Sequence, residues 1–263
     1  LSSKLGHRWA TEQQLPLLEV QHHHAHIAAC LADNAVGLDD GPAIGIALDG
    51  LGFGDDGTLW GGEILLADYR DCQRLAHLKP VAMPGGAQAM REPWRNTCAQ
   101  LMAAFGDDAF ARVDGATGLK ALFDDKPVQT IRQMIAKGIN APLASSAGRL
   151  FDAVAAAVGL APSLASYEGE AAMALESAID ADDLQAVSPY PFEIGTASGR
   201  PVLDPKPCWE GLIGDLRQGV GAVPPGLQRL RGVEVDRAGL VARPMFIKKR
   251  DGRGGVRQQG PVP

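Results

Sequence analysis

PAIGIALDGLGFGDDGTLWGGEILLADYR, residues 42–70, decides the architecture. Its first nine residues, 42–50, are a short apolar run with Ile and Leu, bounded by Pro and Gly, the pattern of a buried strand. Asp55-Asp56-Gly57 is a turn signal, and residues 60–69, WGGEILLADY, alternate like the second arm of a hairpin. Strand, Gly/Asp turn and strand together have the spacing of a β-meander. The glycines of residues 49–57, DGLGFGDDG, carry two readings. Glycines let backbone N–H groups approach an anion, which makes Gly52 and Gly54 candidates for contact with a nucleotide phosphate. The run lacks the Lys and Ser/Thr of a P-loop and the context of a dinucleotide fold, so a plain hairpin with acidic turn residues accounts for it equally.

Upstream lies VQHHHAHIAAC, residues 20–30, which holds four of the chain's six histidines. A purification tag is terminal and uninterrupted, whereas this cluster is internal and broken by Ala25. Two explanations stand, a solvated helix face and a metal site. On a helix His22 and His26 are one turn apart and share a face, the spacing by which paired histidines converge on one ion. His23 and His24 are expected to point elsewhere. Two imidazoles do not hold an ion alone, and Asp49, where the strand AIGIALD runs into the glycines, is the best-placed third donor. A mixed His/Asp set suits Zn²⁺ or Fe²⁺. Further upstream, residues 1–16 read as a helix with a short loop and residues 17–20, LLEV, as a short strand.

Downstream the pattern turns helical. KPVAMPGG, 79–86, reads as a loop; residues 87–105, 128–137, 146–158, 169–179 and 208–218 read as helices, and SPYPFEI, 188–194, as extended. Ser145-Ser146 supplies an N-cap for AGRLFDAVAAAVG, and Gly159 closes that helix. In MREPWRN a helix start at Pro93 with a solvated network of Arg91, Glu92 and Arg95 competes with an anion-binding arginine. Arg149 and Asp152 stand three apart and can pair with each other, or Asp152 can face a nucleotide's hydroxyls. Glu168 and Gly169 precede a helix whose N–H groups would point at an anion or a sugar. Asp49 and Arg149 are the catalytic candidates. The architecture expected from these elements is a mixed α/β layer followed by a helical insert.

Composition narrows the function. With 46% hydrophobic and 21% charged residues over 263, the chain can bury a sizeable core. A net charge of −6 provides no general attraction to nucleic acid or to an anionic membrane, and no apolar run is long enough for a membrane span. The first residues have no signal-peptide order and no Met, which reads as the interior of a longer polypeptide. Cys30, Cys72, Cys98 and Cys208 form no CxxC pair, so reduced thiols and a cytoplasmic setting are expected. From Val220 onward hydrophobic periodicity stops and Gly, Pro and basic residues cluster, a composition that predicts disorder.

VQHHHAHIAAC, IALDGLGFGDDGTLWGGEILLAD, LAHLKPVAMPGGAQAMREPWRN, SSAGRLFDAVAAAVGL, SYEGEAAMALE and YPFEI occur in one order. Together they resemble the C-terminal region of the HypF carbamoyltransferase family of [NiFe]-hydrogenase maturation, over about residues 1–219. The resemblance implies an α/β fold of the ASKHA type (the actin, Hsp70 and sugar-kinase architecture), here one lobe with a helical insert and the second lobe largely missing. It implies a nucleotide between lobes, a divalent metal (Zn or Fe) on His22, His26 and Asp49, and nucleotide contacts at Asp152, Glu168 and Gly169. It further implies transfer of a carbamoyl group, from carbamoyl phosphate and ATP through carbamoyl-adenylate, to the C-terminal cysteine of HypE. The acylphosphatase-like domain, the CxxC zinc fingers and the YrdC-like domain that makes the adenylate are absent from this stretch, as are the later Ser-Gly-Gly and Asp-Gly-Gly segments. Where the family continues, residues 220–263 diverge, which a frameshift near Val220 would explain. Two rivals are a catalytically inactive metal-binding fragment and a relative of the tRNA threonylcarbamoyl transferases.

Overall fold

The computed structural model describes residues 2–161, 163–179 and 188–219. The expectations for residues 220–263, disorder and a frameshift alike, lie outside the described residues. Helix α1 (Ser2–Glu12) leads through an irregular segment to α2 (His22–Asp33). Residues 17–20, expected as a strand, form none: Leu18 is 84% exposed and no strand among the described residues pairs with the segment. Apolar content alone does not make a strand without a ladder to join.

The expected meander is present and longer than its first signal. Strand β1 (Ala43–Phe53) pairs antiparallel with β2 (Leu59–Ala67), and β2 pairs antiparallel with β3 (Cys72–Leu78). The hairpin turn falls at residues 54–58, where Gly57 has φ +76°. The register between β1 and β2 slips between Leu48 and Gly52, a bulge that takes Asp49 out of regular pairing. Bulges re-aim side chains in this way. Two short strands, β4 (Val81–Ala82) and β5 (Leu143–Ala144), extend the sheet beside β2, and β6 (Glu193–Ala197) and β7 (Arg200–Asp204) extend it beside β3 through a parallel β3–β7 pair.

The expected helix over 87–105 is two helices, α3 (Ala87–Arg91) and α4 (Pro93–Phe105). Pro93 forces Glu92 out of the helical region, to φ −120° and ψ 82°, and then starts α4 at its first position. Beyond a 3₁₀ turn, α5 (Thr117–Ala121) and α6 (Val128–Lys137) follow, then α7 (Ala147–Ala157), α8 (Glu170–Ser177) and α9 (Lys206–Arg217). Ser146 caps α7 by accepting the Arg149 N–H at 3.0 Å, and Gly159 takes φ +78° just past its end, as the sequence predicts. The helices share one core around Trp94, Leu101, Val154, Trp209 and Leu212, while α2 packs Ile27 and Leu31 on Ala43, Ala47 and Leu65 of the sheet. Gly45 lets Ile27 lie directly on β1, since a Cβ there would meet its side chain at 2.5 Å. Among the described residues no helix is long and apolar enough to cross a membrane.

Candidate metal centre

Helix α2 begins at His22 because Gln21 caps it: the Gln21 Oε1 accepts the backbone N–H of His24 at 2.8 Å. That start puts the imidazoles of His22, His23 and His26 over the β1 bulge. The His22 and His26 Nε2 atoms are 3.1 Å apart, and His22 Nε2 is 2.9 Å from Asp49 Oδ2. His26 Nε2 stands 3.9 Å from the same oxygen. A tetrahedral ion with metal–nitrogen bonds of about 2.05 Å has ligand–ligand edges of roughly 3.3 Å, so these separations bracket what one ion requires. The residues expected as metal ligands therefore fit a divalent cation. A crevice of about 10 Å³, lined by His23, His26, Ile27, Ile46, Ala47, Leu48 and Asp49 but not by His22, lies beside the cluster. A larger cavity of about 310 Å³, beside Phe110, Phe123 and Val128, involves none of the candidates.

The structure corrects the expectation for His23. Its ring is fully buried and also turns toward the carboxylate, with Nε2 3.5 Å from Asp49 Oδ2. Ligand atoms of His22, His23 and Asp49 all lie within 4.8 Å of one another. A bulged strand below and an N-capped helix above bring in a third imidazole that helical spacing alone assigns elsewhere. His24 does point elsewhere, its Nε2 lying 2.8 Å from the Asp68 carbonyl oxygen.

Burial opposes ionisation of Asp49, but the approach of His23, the Gly50 N–H at 2.6 Å and His22 outweigh it and hold the carboxyl well below the usual range. Burial, reinforced by His22, lowers the basicity of His26 against the pull of Asp49. Both groups are thus biased to the forms that coordinate a cation, carboxylate and neutral imidazole.

The glycines of 50–54 serve close packing. A Cβ at Gly52 would sit 2.5 Å from the rings of His22 and His23, and one at Gly54 would overlap the Trp60 indole. At Gly50 it would meet Glu168 Oε1 at 2.7 Å, and at Gly148 it would meet Gly50 Cα at 2.9 Å. The start of α7 and the loop before α8 therefore close directly onto the bulged middle of β1 that carries Asp49, not onto a strand end as the sequence suggests. Ser146 Oγ donates to the Gly50 carbonyl across the same junction.

This junction gathers the second group of candidates. Arg149 and Asp152, buried to 5% and 3% exposure, form an ion pair with Nε–Oδ2 2.7 Å. Burial pushes the Asp152 carboxyl up to about 6 against the pull of Arg149, with Glu168 adding repulsion. Arg149 Nη1 is buried without a hydrogen-bond partner among the described residues. Gly169 takes φ +84° as the residue before α8. Arg95 pairs with Glu92 and covers the Trp94 ring, so these two charges satisfy each other in a part-buried pair.

Beneath the histidines lies a polar cluster that sequence reasoning missed. Glu63, fully buried on β2, accepts from Ser145 Oγ at 2.5 Å and from Arg74 Nε at 2.6 Å. Arg74 also reaches Asp56 at 2.9 Å and stacks its guanidinium over Trp60, 4.0 Å from the ring centroid. Trp60 in turn donates to Asp56 Oδ1 at 2.9 Å and stacks on His23 with ring centroids 6.2 Å apart. The one signal for it is a carboxylate in the middle of an apolar strand, WGGEILLA.

Burial pushes the thiols of Cys98 and Cys208 up to about 12 and that of Cys72 to about 11. None of these three is a nucleophile at neutral pH.

Comparison with known proteins identifies the family. Residues 45–224 match the family model described as carbamoyltransferase, Kae1-like domain, second subdomain, and residues 2–33 match the HypF Kae1-like domain. The chain is 49% identical over 216 residues to carbamoyltransferase HypF of Rhodobacter capsulatus, covering 82% of this chain and 27% of that protein. It is 46% identical over 176 residues to carbamoyltransferase HypF2 of Cupriavidus necator, covering 66% and 20% respectively. It thus spans about a quarter of the length of such relatives. Among solved structures, full-length HypF in a phosphate- and nucleotide-bound form superposes with a TM-score of 0.70 at 34% identity, over 84% of this chain and 27% of that one. HypF of T. kodakarensis superposes with a TM-score of 0.67 at 32% identity, over 87% and 29%. The chain belongs to the HypF carbamoyltransferase family, through its Kae1-like domain.

Proposed function

We propose that this chain carries the acceptor half of a carbamoyl transfer in [NiFe]-hydrogenase maturation. Carbamoyl-adenylate, formed from carbamoyl phosphate and ATP on a YrdC-like domain outside this stretch, donates its carbamoyl group to the C-terminal cysteine thiolate of HypE. The supporting observation is the junction at Gly50. The His22–His26–Asp49 cluster is on one side of it and Gly148 and Glu168, with the α7 start that carries Arg149 and Asp152, on the other, so one bulged stretch of β1 would serve both a cation and a nucleotide.

His22, His26 and Asp49 would hold a zinc or iron ion. Such an ion, when bound, polarises a carbonyl and neutralises phosphate charge. Asp152, Glu168 and Gly169 orient the adenylate through its sugar hydroxyls. The Arg149 guanidinium has an N–H left over from its pair with Asp152 and stabilises the anionic phosphate as the acyl bond breaks. Gly52 and Gly54 make room for the His22 and His23 rings and for the Trp60 indole, and so support the cluster without touching the nucleotide. The thiolate attacks the carbamoyl carbon, the carbon–oxygen bond to AMP breaks, and AMP departs with the electron pair. The nucleophile comes from HypE, consistent with the protonated thiols of Cys72, Cys98 and Cys208.

The test is metal content together with labelling of HypE from carbamoyl-adenylate by the purified chain. One ion per chain and labelled HypE is the expected result. Metal without transfer would favour an inactive metal-binding fragment. Labelling of tRNA instead of HypE would favour the threonylcarbamoyl transferase relation, for which a net charge of −6 gives no support.

A further inference from the structure

His22, His23 and His26 all turn toward Asp49, and proximity alone does not separate ligand from support. The hydrogen bonds of Gln21 do. Its Oε1 accepts the His24 backbone N–H at 2.8 Å, and its Nε2 lies 3.1 Å from the Phe53 carbonyl oxygen. A backbone donor on one end and a backbone acceptor on the other allow the amide one orientation. The same amide nitrogen lies 3.1 Å from His23 Nδ1. Because that nitrogen only donates, His23 Nδ1 must accept and carries no proton. In the neutral ring the proton is then on Nε2, aimed at Asp49 Oδ2 3.5 Å away.

We infer that His23 is a positioning residue for Asp49 and not a metal ligand, and that Gln21 makes it so by fixing its tautomer. A nitrogen that carries its proton has no lone pair for a cation. The His23 N–H instead faces Oδ2 from the buried side at 3.5 Å while the Gly50 N–H holds Oδ1 at 2.6 Å. The carboxylate keeps one lone-pair direction open toward His22 and His26. This also accounts for a buried Nε2 that has no full hydrogen bond among the described residues, since a small inward shift of Asp49 completes it. The ring itself is held by the Trp60 stack, and Trp60 by Arg74 and Asp56. One glutamine thus caps α2, ties it to β1 through Phe53 and sets the proton beneath the site.

The inference rests on the metal reading for its purpose but not for its test. Nitrogen-15 ring spectra of histidine-labelled chain, with His23→Gln identifying the signal, report the tautomer directly. Without metal, His23 is expected as the Nε2–H form. After one equivalent of Zn²⁺, the resonances of His22 and His26 move to metal-bound positions while His23 keeps its Nε2 proton. Gln21→Glu, whose carboxylate still accepts from His24 but can no longer donate to Nδ1, is expected to place a proton on Nδ1 and weaken zinc binding about 10–100-fold. An Nδ1–H tautomer in the unsubstituted metal-free chain, or loss of the Nε2 proton on zinc loading, overturns the inference. Failure of zinc to bind overturns only the metal reading, because the metal-free spectrum decides the tautomer alone.

Discussion

At the scale of residues, the site works by close approach. Gly52 leaves no atom between β1 and the two rings above it, and an added Cβ would lie 2.5 Å from both. Gly52→Ala is therefore expected to displace His22 and His23, with zinc affinity falling at least about ten-fold and stability by about 1–3 kcal/mol, as overpacked sites do. Zinc titration and urea unfolding check the two effects separately. Asp152 gives a pH signature. Its folded value of about 6 lies above the ordinary 3.8, so the folded state binds the proton more tightly than the unfolded state. The stability this contributes is present in full below the ordinary value and lost as pH rises through the folded one, a difference on the order of 3 kcal/mol. Unfolding free energy measured across that window should fall with rising pH from this group, and Asp152→Asn should remove that part of the slope. An unchanged slope in the variant would show that Asp152 does not titrate there.

At the scale of elements, the junction depends on how helices start. Ser146 accepts the Arg149 N–H and donates to the Gly50 carbonyl, so one hydroxyl both starts α7 and ties it to β1. Ser146→Ala should cost about 1 kcal/mol for the cap, seen as a lower urea midpoint with an unchanged slope. Ser145-Ser146 before AGRLFDA made this start legible in sequence, because capping is a local matter of one side chain and one N–H. Pro93 carried a signal for the break at Glu92, although residues 87–105 read as one helix by their periodicity. The strand expected at residues 17–20 was not a strand, because pairing needs a partner that composition does not reveal. Strands β4 and β5, two residues each, carry no periodicity to read.

At the scale of the molecule, Glu63 and Arg74 join β2 and β3 to the loop before α7 through Ser145, beneath the histidines. Removing one partner leaves a buried charge uncompensated. Arg74→Met is expected to destabilise the chain by roughly 3–5 kcal/mol, and Arg74→Met with Glu63→Leu by less than the single change. Equilibrium unfolding of the two variants decides this, and a double variant weaker than the single would refute the account. The same loss should loosen Trp60 over His23, so zinc affinity in Arg74→Met should also fall.

The sequence by itself determined the local features: the hairpin, the cap of α7, and two histidines one turn apart. Each depends on residues near one another in the chain, where backbone geometry sets which side chains share a face. Only the tertiary structure decided that His23 joins the cluster, that Gly50 is where the two groups of candidates meet, and that a buried glutamate and arginine underlie the imidazoles. Those facts depend on a register slip in β1 and on a helix laid across it, contacts between segments tens of residues apart whose distances no local spacing contains.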